Sequence, residues 1–403
     1  MSAIQIQKGK DAVLSKTDDD VVIVSALRTA LTKAKKGGLS QAAPEELLGN
    51  VIKGVLAQSK VDPKLVEDVA VGNVLPPGGG ATVARMGALW AGLPNTTAVN
   101  TVNRQCSSGL ATVNQIANEI KAGQIDIGIG AGVESMTLHY GAGVMPEKMS
   151  DAVMENDEAA DCLAPMGITS ENVAKEYGIS REAQDKFSAE SYKKAAQAQK
   201  DGKFKSEIVT VKYTDDEGND RTVDSDDGIR DGVTAESLGK LKPAFDKNGF
   251  TTAGNASQVS DGAAAVLLAR RSVAKKLGLP ILGKFVTASV VGVPPNVMGI
   301  GPAFAIPKVL ELANIKKEDV DIYEINEAFA SQAVYSIEKL GLDYKKVNPV
   351  GGAIAFGHPL GATGSRQIAT ALAEAKRENK KIIVTSMCVG TGMGMASLIV
   401  NEQ

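Results

Sequence analysis

Glu67-Asp68-Val69 and Glu318-Asp319-Val320 head two apolar, strand-like stretches, residues 69–74 and 320–325, in opposite halves of a 403-residue chain. Each is followed about forty residues later by a side chain suited to chemistry, Cys106 in the first half and His358 in the second. A helix, a strand and a Gly-rich turn come next in both: Gly128, Gly130 and Gly132, then Gly390, Gly392 and Gly394. The parallel spacing predicts two halves of shared topology packed about a pseudo-twofold. That packing would bring the Cys106 turn and the His358 loop to one site.

Outward from these anchors the chain keeps alternating. Residues 20–25 (DVVIVS) read as a short buried strand, and Pro44 opens a helix with Leu47, Leu48, Val51, Ile52, Val55 and Leu56 on one face. A helix over 110–120 and a strand over 125–129 follow, a pattern that predicts an α/β architecture with mainly parallel sheets. Residues 131–258 break it with scattered Met, the charged turn Asp215-Asp216-Glu217-Gly218 and a long polar helix over 181–199 after a Ser180 N-cap. This reads as an inserted loop domain. Regular alternation resumes after Asp261, with a helix over 365–376 and strands over 382–386 and 396–400. The expected division is an N-terminal half, 1–130, completed by about 259–280, a loop domain, 131–258, and a C-terminal half, 281–403.

Composition removes several function classes. At 43% hydrophobic and 23% charged, the chain can bury a large core, and no apolar run nears the roughly 20 residues needed to span a bilayer. Lys plus Arg is 44 against 47 for Asp plus Glu, with no basic block to track a phosphate backbone, so nucleic acid is not expected as a partner. The three cysteines, Cys106, Cys162 and Cys388, lack metal-ligand spacing and are too few for a disulfide framework, which points to a reducing compartment and no metal. The first twenty residues resemble neither a signal peptide nor a mitochondrial presequence, and Asn401-Glu402-Gln403 is not a peroxisomal tail of the Ser-Lys-Leu type.

Four segments carry the chemistry. In Asn103-Arg104-Gln105-Cys106-Ser107-Ser108-Gly109 the thiol stands at or near a helix N-terminus, where unpaired N–H groups favour a thiolate; a buried Cys used as a small hydrophobe fits the position equally well. Residues 351–364 (GGAIAFGHPLGATG) surround His358 with glycines that hold tight turns, expose an imidazole and admit a ligand. The chain's other histidine, His139, lacks such surroundings and reads as surface or structural. Residues 388–394 (CVGTGMG) place a second thiol on a Gly-rich turn. A dinucleotide fingerprint there would need a following helix and an acidic residue about 20 positions on, and the chain ends first. Asn326, in Asn326-Glu327-Ala328-Phe329-Ala330, sits at a strand end, as a functional group or as a helix cap.

NRQCSSG, NEAFA, GHPLGATG and CVGTGMG stand in the order and approximate spacing of the thiolase family, and the chain resembles that family over nearly its whole length. The likeness extends to GNASQVSDG at 254–262 and PMGITSENVA at 165–174, and within the family points to degradative 3-ketoacyl-CoA thiolases of the peroxisomal type. It implies two duplicated βα halves in a layered αβαβα arrangement with an inserted loop domain. It implies that Cys106 is the nucleophile, that His358 activates it, and that Cys388 exchanges a proton with the acetyl-CoA carbon. His358, with a water held by Asn326, would stabilise the thioester oxygen, and the N–H groups of Cys106 and Gly390 the tetrahedral intermediate. Ser257 would lie near the pantetheine, and Met166, Met298 and Phe329 would line its slot, although Met and Phe at such positions equally suit core packing.

The resemblance further implies coenzyme A as co-substrate without a permanently bound cofactor, a homodimer or homotetramer, and a peroxisomal location, with cytoplasm as the alternative. Pro165 stands where acetoacetyl-CoA-specific members commonly carry His, which favours broader chain lengths, and Phe356 and Ser365 replace an expected Leu and Ala. Three other readings are open: a biosynthetic acetoacetyl-CoA thiolase, a related condensing synthase, and a non-catalytic acyl-CoA or lipid binder of this fold. Both thiols speak against the last, and Cys388 against a decarboxylative synthase, which has no need of it.

Overall fold

The computed structural model of the chain describes residues 6–141 and 148–403. In the first half, strand β1 (Val21–Thr29) is followed by helix α1 (Pro44–Ser59), β2 (Asp68–Gly72), α2 (Ala81–Trp90), β3 (Ala98–Val102), α3 (Ser108–Ala122) and β4 (Ile127–Ser135). An insertion carrying α4 (Met166–Glu176) and α5 (Arg181–Lys200) separates β4 from β5 (Ser260–Arg270). The second half runs β6 (Gly283–Gly292), α6 (Gly301–Ala313), β7 (Ile322–Ile325), α7 (Ala330–Leu340), α8 (Thr363–Arg377), β8 (Ile382–Val389) and β9 (Met393–Asn401).

The strands lie in the order β3-β2-β4-β5-β1-β6-β9-β8-β7, with two-residue strands at Thr32–Lys33 and Ile208–Val209 pairing off this path. The order is a palindrome about the antiparallel β1–β6 pair. A lone parallel bridge between Tyr323 and Val347 takes the place that β3 holds in the first half. The two anchor sequences thus lead into equivalent strands, β2 and β7, and α3 after Cys106 corresponds to α8 after His358.

Three cores stack the molecule into five layers, helix, sheet, helix, sheet, helix. The first packs α1 and α2 on one sheet half; the middle one buries Leu110, Val113 and Ile116 of α3 against Ile368 and Leu372 of α8, between strands of both halves. The third covers the second half with Ile306, Val309 and Leu310 of α6. Apolar residues three and four apart on α3 and α8 are buried because each helix is enclosed by sheet on both sides.

Two expectations need correction. The pairing is not mainly parallel: β2–β3, β2–β4 and β7–β8 are parallel, whereas β4–β5, β5–β1, β1–β6, β6–β9 and β9–β8 are antiparallel. The tight connection between β8 and β9 has no crossover helix, and a strand that returns directly must run antiparallel. Gly128, Gly130 and Gly132 are not a turn either but lie within β4, which continues to Ser135. Their missing side chains admit neighbours: a Cβ on Gly130 would lie 2.7 Å from the Val113 nitrogen, and one on Gly132 would collide with the Gly361 carbonyl. Only Gly390 and Gly392 of the second run lie in the β8–β9 turn, Gly394 being part of β9.

The insertion carries α5, whose N-cap Ser180 accepts a hydrogen bond from the Ala183 N–H, and a hairpin of Val211–Thr214 with Asp220–Val223. Two-residue strand Ile208–Val209 pairs back onto β1, and buried Arg28 of β1 binds Glu207 and Asp226 of the insertion at 2.6 and 2.7 Å. These ties hold the inserted segment to the core. Among the described residues, no helix is long and apolar enough to cross a membrane.

Candidate active site

Beside the site, one carbonyl brings the halves into their closest fit. Gly361, in the loop after His358, places its oxygen in a notch of three first-half glycines: a Cβ would lie 2.7 Å from it at Gly72 of β2 and 2.6 Å at Gly109 of α3, and would overlap it at Gly132 of β4. Only a surface without side chains accepts backbone so closely. Ser365 of α8 adds a bond, its hydroxyl donating to the Gly109 carbonyl at 3.0 Å, which gives the unexpected Ser at that position a use. The Cys106 turn and the His358 loop are therefore neighbours by construction.

Cys106 precedes α3 by one residue, Ser107, and is almost fully buried. Gln105 before it has φ 46°, a left-handed conformation unusual for a non-glycine residue, and its N–H donates to Asn103 Oδ1 at 2.9 Å. The turn is closed by Ser108, whose hydroxyl accepts the Arg104 N–H at 2.9 Å and donates to the Gln105 carbonyl at 2.6 Å. Burial pushes the thiol up to about 11, against the pull of N–H groups from Gly390 and from Cys106 itself; the Glu134 carboxylate adds to the rise. The expected thiolate at a helix N-terminus does not hold in the resting site, because desolvation outweighs the donors.

His358 lies between two polar side chains. Its Nδ1 is 2.6 Å from the Thr363 hydroxyl and its Nε2 is 3.3 Å from Asn326 Nδ2. Burial, reinforced by the Arg366 guanidinium, pushes the imidazole down to about 3, so it is neutral across the physiological range. Asn326 follows the last residue of β7, as the sequence suggested, and its N–H donates to the Ser386 carbonyl of β8 at 2.9 Å. Its Oδ1 is buried without a partner, an acceptor free for a water or substrate hydrogen.

Cys388, near the end of β8, is fully buried, and burial raises its thiol well above the ordinary range; ionisation of the nearby Cys106 would raise it further. Its S–H faces Gln332 Oε1 at 3.6 Å, and the same oxygen accepts the Ala328 N–H at 3.1 Å. Gly390, two residues on, is the donor to Cys106. The resting site thus holds two protonated thiols and a neutral imidazole. For either thiol to act as a nucleophile here, a neighbouring base has to take its proton.

Of the binding candidates, Met166 begins α4 after Pro165, is 36% exposed, and sets its sulfur 3.6 Å from where a Gly390 side chain would start, so it borders the site from the open side. Met298 and Phe329 pack with Ala328 against Cys388, with Met298 fully buried. Phe245 of the insertion meets Phe329 edge-on at 6.4 Å. Ser257 is tied beside them, its N–H donating to the Ala328 carbonyl at 2.9 Å. The neighbouring Gln258 carbonyl accepts the His358 N–H at 3.1 Å, so the insertion shapes the imidazole loop directly. His139, half-buried at the end of a short helix, is not among the site contacts.

Three contributors escaped the sequence reading. Gln332 faces Cys388, Thr363 faces His358, and Glu134 at the end of β4 accepts the Gly361 and Val74 N–H groups on Oε2 and the Leu75 N–H on Oε1. Burial pushes the Glu134 carboxyl up to about 7 against those three donors. Only Thr363 had a signal, its place within GHPLGATG. Phe356, the other unexpected residue, lies within cation–π distance of two guanidiniums, Arg366 at 5.0 Å and Arg28 at 6.0 Å from the ring centroid, two residues before His358.

The resting protonation states make a prediction about the free enzyme. Alkylation of Cys106 by iodoacetamide is expected to climb with pH between 8 and about 10, as a thiol of raised pKa ionises. A rate flat from pH 6 to 9 would instead indicate a preformed thiolate–imidazolium pair and contradict this electrostatic picture.

Comparison with known proteins bears on the whole chain. Residues 21–272 match the model for the thiolase N-terminal domain, and residues 279–401 match that for the thiolase C-terminal domain. A protein of Yarrowia lipolytica named "3-ketoacyl-CoA thiolase, peroxisomal" is 60% identical over 399 residues, 98% of this chain and 96% of that one. The crystal structure of the dimeric peroxisomal thiolase of Saccharomyces cerevisiae superposes with a TM-score of 0.92 at 52% identity, covering 98% of this chain and all of that one. A second yeast structure, TM-score 0.81 at 47% identity over 96% of this chain and all of that one, is described as five-layered and constructed from two core domains of identical topology.

Proposed function

The chain belongs to the thiolase family, and we propose that it cleaves 3-ketoacyl-CoA with coenzyme A through an acyl-Cys106 intermediate. It is a 3-ketoacyl-CoA thiolase, an acetyl-CoA C-acyltransferase of peroxisomal fatty-acid β-oxidation. The observation that carries the residue roles is the convergence of two thiols, a neutral imidazole and an amide where the two halves interlock.

His358 Nε2 takes the proton of Cys106 as sulfur attacks the 3-keto carbon of the bound substrate. The C2–C3 bond then breaks, leaving the shortened acyl group on Cys106 and an acetyl-CoA enolate. Cys388 protonates the enolate carbon and is left as a thiolate. That thiolate takes the proton of incoming coenzyme A, whose sulfur attacks the thioester and releases acyl-CoA, while the His358 imidazolium returns its proton to the departing Cys106 sulfur. The Gly390 N–H, already directed at the Cys106 sulfur, would also stabilise negative charge developing beside it, and Asn326 would orient a water at the thioester oxygen of acetyl-CoA. Met166, Met298, Phe329 and Ser257 form the wall along which the pantetheine would lie. Coenzyme A enters as co-substrate, with no permanently bound cofactor in this cycle.

The chain-length profile tests the degradative reading. Thiolysis of medium- and long-chain 3-ketoacyl-CoA is expected to exceed that of acetoacetyl-CoA, in line with Pro165 ahead of Met166 in place of His. A strict preference for acetoacetyl-CoA would favour the biosynthetic alternative. The yeast relative is dimeric, and here β3 leaves an open sheet edge beside the exposed Met86, Leu89 and Trp90, a surface suited to a second copy. We take the homodimer as the working assembly.

A further inference from the structure

A base for Cys106 must offer an imidazole lone pair, and a neutral imidazole has one lone pair and two nitrogens. We propose that the Thr363 hydroxyl decides which nitrogen carries it, holding His358 as the Nδ1–H tautomer so that the lone pair stands on Nε2, where the Cys106 proton displaces the long Asn326 contact. The proposal deepens the reading of His358 as the base and rests on it.

The argument is a count of hydrogens. Thr363 Oγ1 lies 2.6 Å from His358 Nδ1 and 3.1 Å from the Pro359 carbonyl oxygen. A carbonyl cannot donate, so the hydroxyl's one hydrogen lies on the Pro359 side and its lone pair faces Nδ1, which must then carry N–H. Across the ring, Nε2 faces the Asn326 amide nitrogen, which can only donate, so Nε2 accepts. Both ends of the imidazole agree. The reversed chain, with Thr363 donating to Nδ1 and Nε2–H donating to a turned-over Asn326 oxygen, leaves Thr363 Oγ1 and the Pro359 oxygen 3.1 Å apart with no hydrogen between them.

Burial gives the hydroxyl its leverage. Thr363 is 0% and His358 4% exposed, so water cannot replace either partner. The geometry comes from the helix, because Thr363 is the first residue of α8 and Pro359 lies one turn before it. A side chain that bonds back to the carbonyl four residues earlier has its lone pair turned outward, toward the loop that holds His358. Thr363 is thus a positioning residue, acting on the reaction through the ring.

The chain has two histidines, which makes the test direct. With ¹⁵N-labelled imidazoles, and His139→Gln to remove the other pair of signals, resting His358 should show a pyrrole-type Nδ1 and a pyridine-type Nε2. Thr363→Val keeps the shape and loses the acceptor. It should give mixed tautomers and lower kcat by about tenfold, with KM little changed, whereas Thr363→Ser should restore both. A pyridine-type Nδ1 in the unmodified enzyme would overturn the proposal, as would Thr363→Val with unchanged spectrum and kcat. If Thr363→Val does not fold, the spectra of the unmodified and Thr363→Ser enzymes still decide. Failure of Cys106 to take up acyl groups, with His358 still Nδ1–H, would remove the proposed function and leave the tautomer assignment standing.

Discussion

Cys106→Ala should lose thiolytic activity by on the order of 10⁴-fold or more, because no other group near the 3-keto carbon can carry the acyl chain between two coenzyme A molecules. Cys388 is the only other thiol at the site, and with its S–H directed at Gln332 Oε1 and its pKa raised further than that of Cys106 it is the acid of the cycle and a poor substitute nucleophile. The loss should come with no acyl-enzyme. Incubation with 3-ketoacyl-CoA followed by intact-protein mass spectrometry should show an acyl adduct on the unmodified chain and none on the variant. The fold should survive, since a buried thiol replaced by methyl creates little void and removes no hydrogen bond on which the turn depends; that turn is held by Ser108 and Asn103. An adduct of normal stoichiometry on Cys106→Ala would move the nucleophile elsewhere.

Cys388→Ala separates the two chemical halves of the cycle. Acylation of Cys106 from an acyl-CoA should proceed, since the nucleophile, the imidazole and the Gly390 N–H are intact. Exchange of the acetyl-CoA methyl protons with deuterated water should fall by about 10²- to 10⁴-fold, the span expected when a positioned acid–base group is removed. Steady-state thiolysis should fall with it. Normal turnover in Cys388→Ala would show that another group protonates the enolate. Asn326, with an unpartnered oxygen, and His358 beside it would be the next to test.

How far the sequence could lead follows from what each feature depends on. The anchors at Glu67 and Glu318 located β2 and β7 because strand entry after a polar residue is local, and α5 was legible from Ser180 because a cap is local too. The direction of strand pairing was not legible. It turns on whether a connection crosses over or returns directly, and neither the insertion after β4 nor the short β8–β9 turn declares that in composition. The glycines of β4 were taken for a turn because Gly favours turns, whereas here they clear space for Val113 and Gly361, which are distant in sequence.

The same division runs through the site. Cys106, His358, Asn326 and Cys388 were visible because each sits in a distinctive short motif. The state of Cys106 was not, because a helix N-terminus is local and the burial that outweighs it is not. Glu134 and Gln332 could not be found at all: their partners are backbone groups and a thiol brought near only by folding, and a lone Glu at a strand end or Gln in a helix is unremarked in sequence.

The Gly361 carbonyl in its three-glycine notch has a bearing on how the chain loses activity. Cys106 belongs to one half; His358, Cys388 and Asn326 belong to the other, and beside the site the Gly361 oxygen sets how closely they approach. Sheet, helices and all three cores could remain intact while that oxygen withdraws by little more than its own radius, and the side chains from the two halves would no longer be in register. Heat or denaturant is therefore expected to abolish activity before the sheet and helices unfold, which activity and circular dichroism followed on the same sample would show; coincident losses would contradict it.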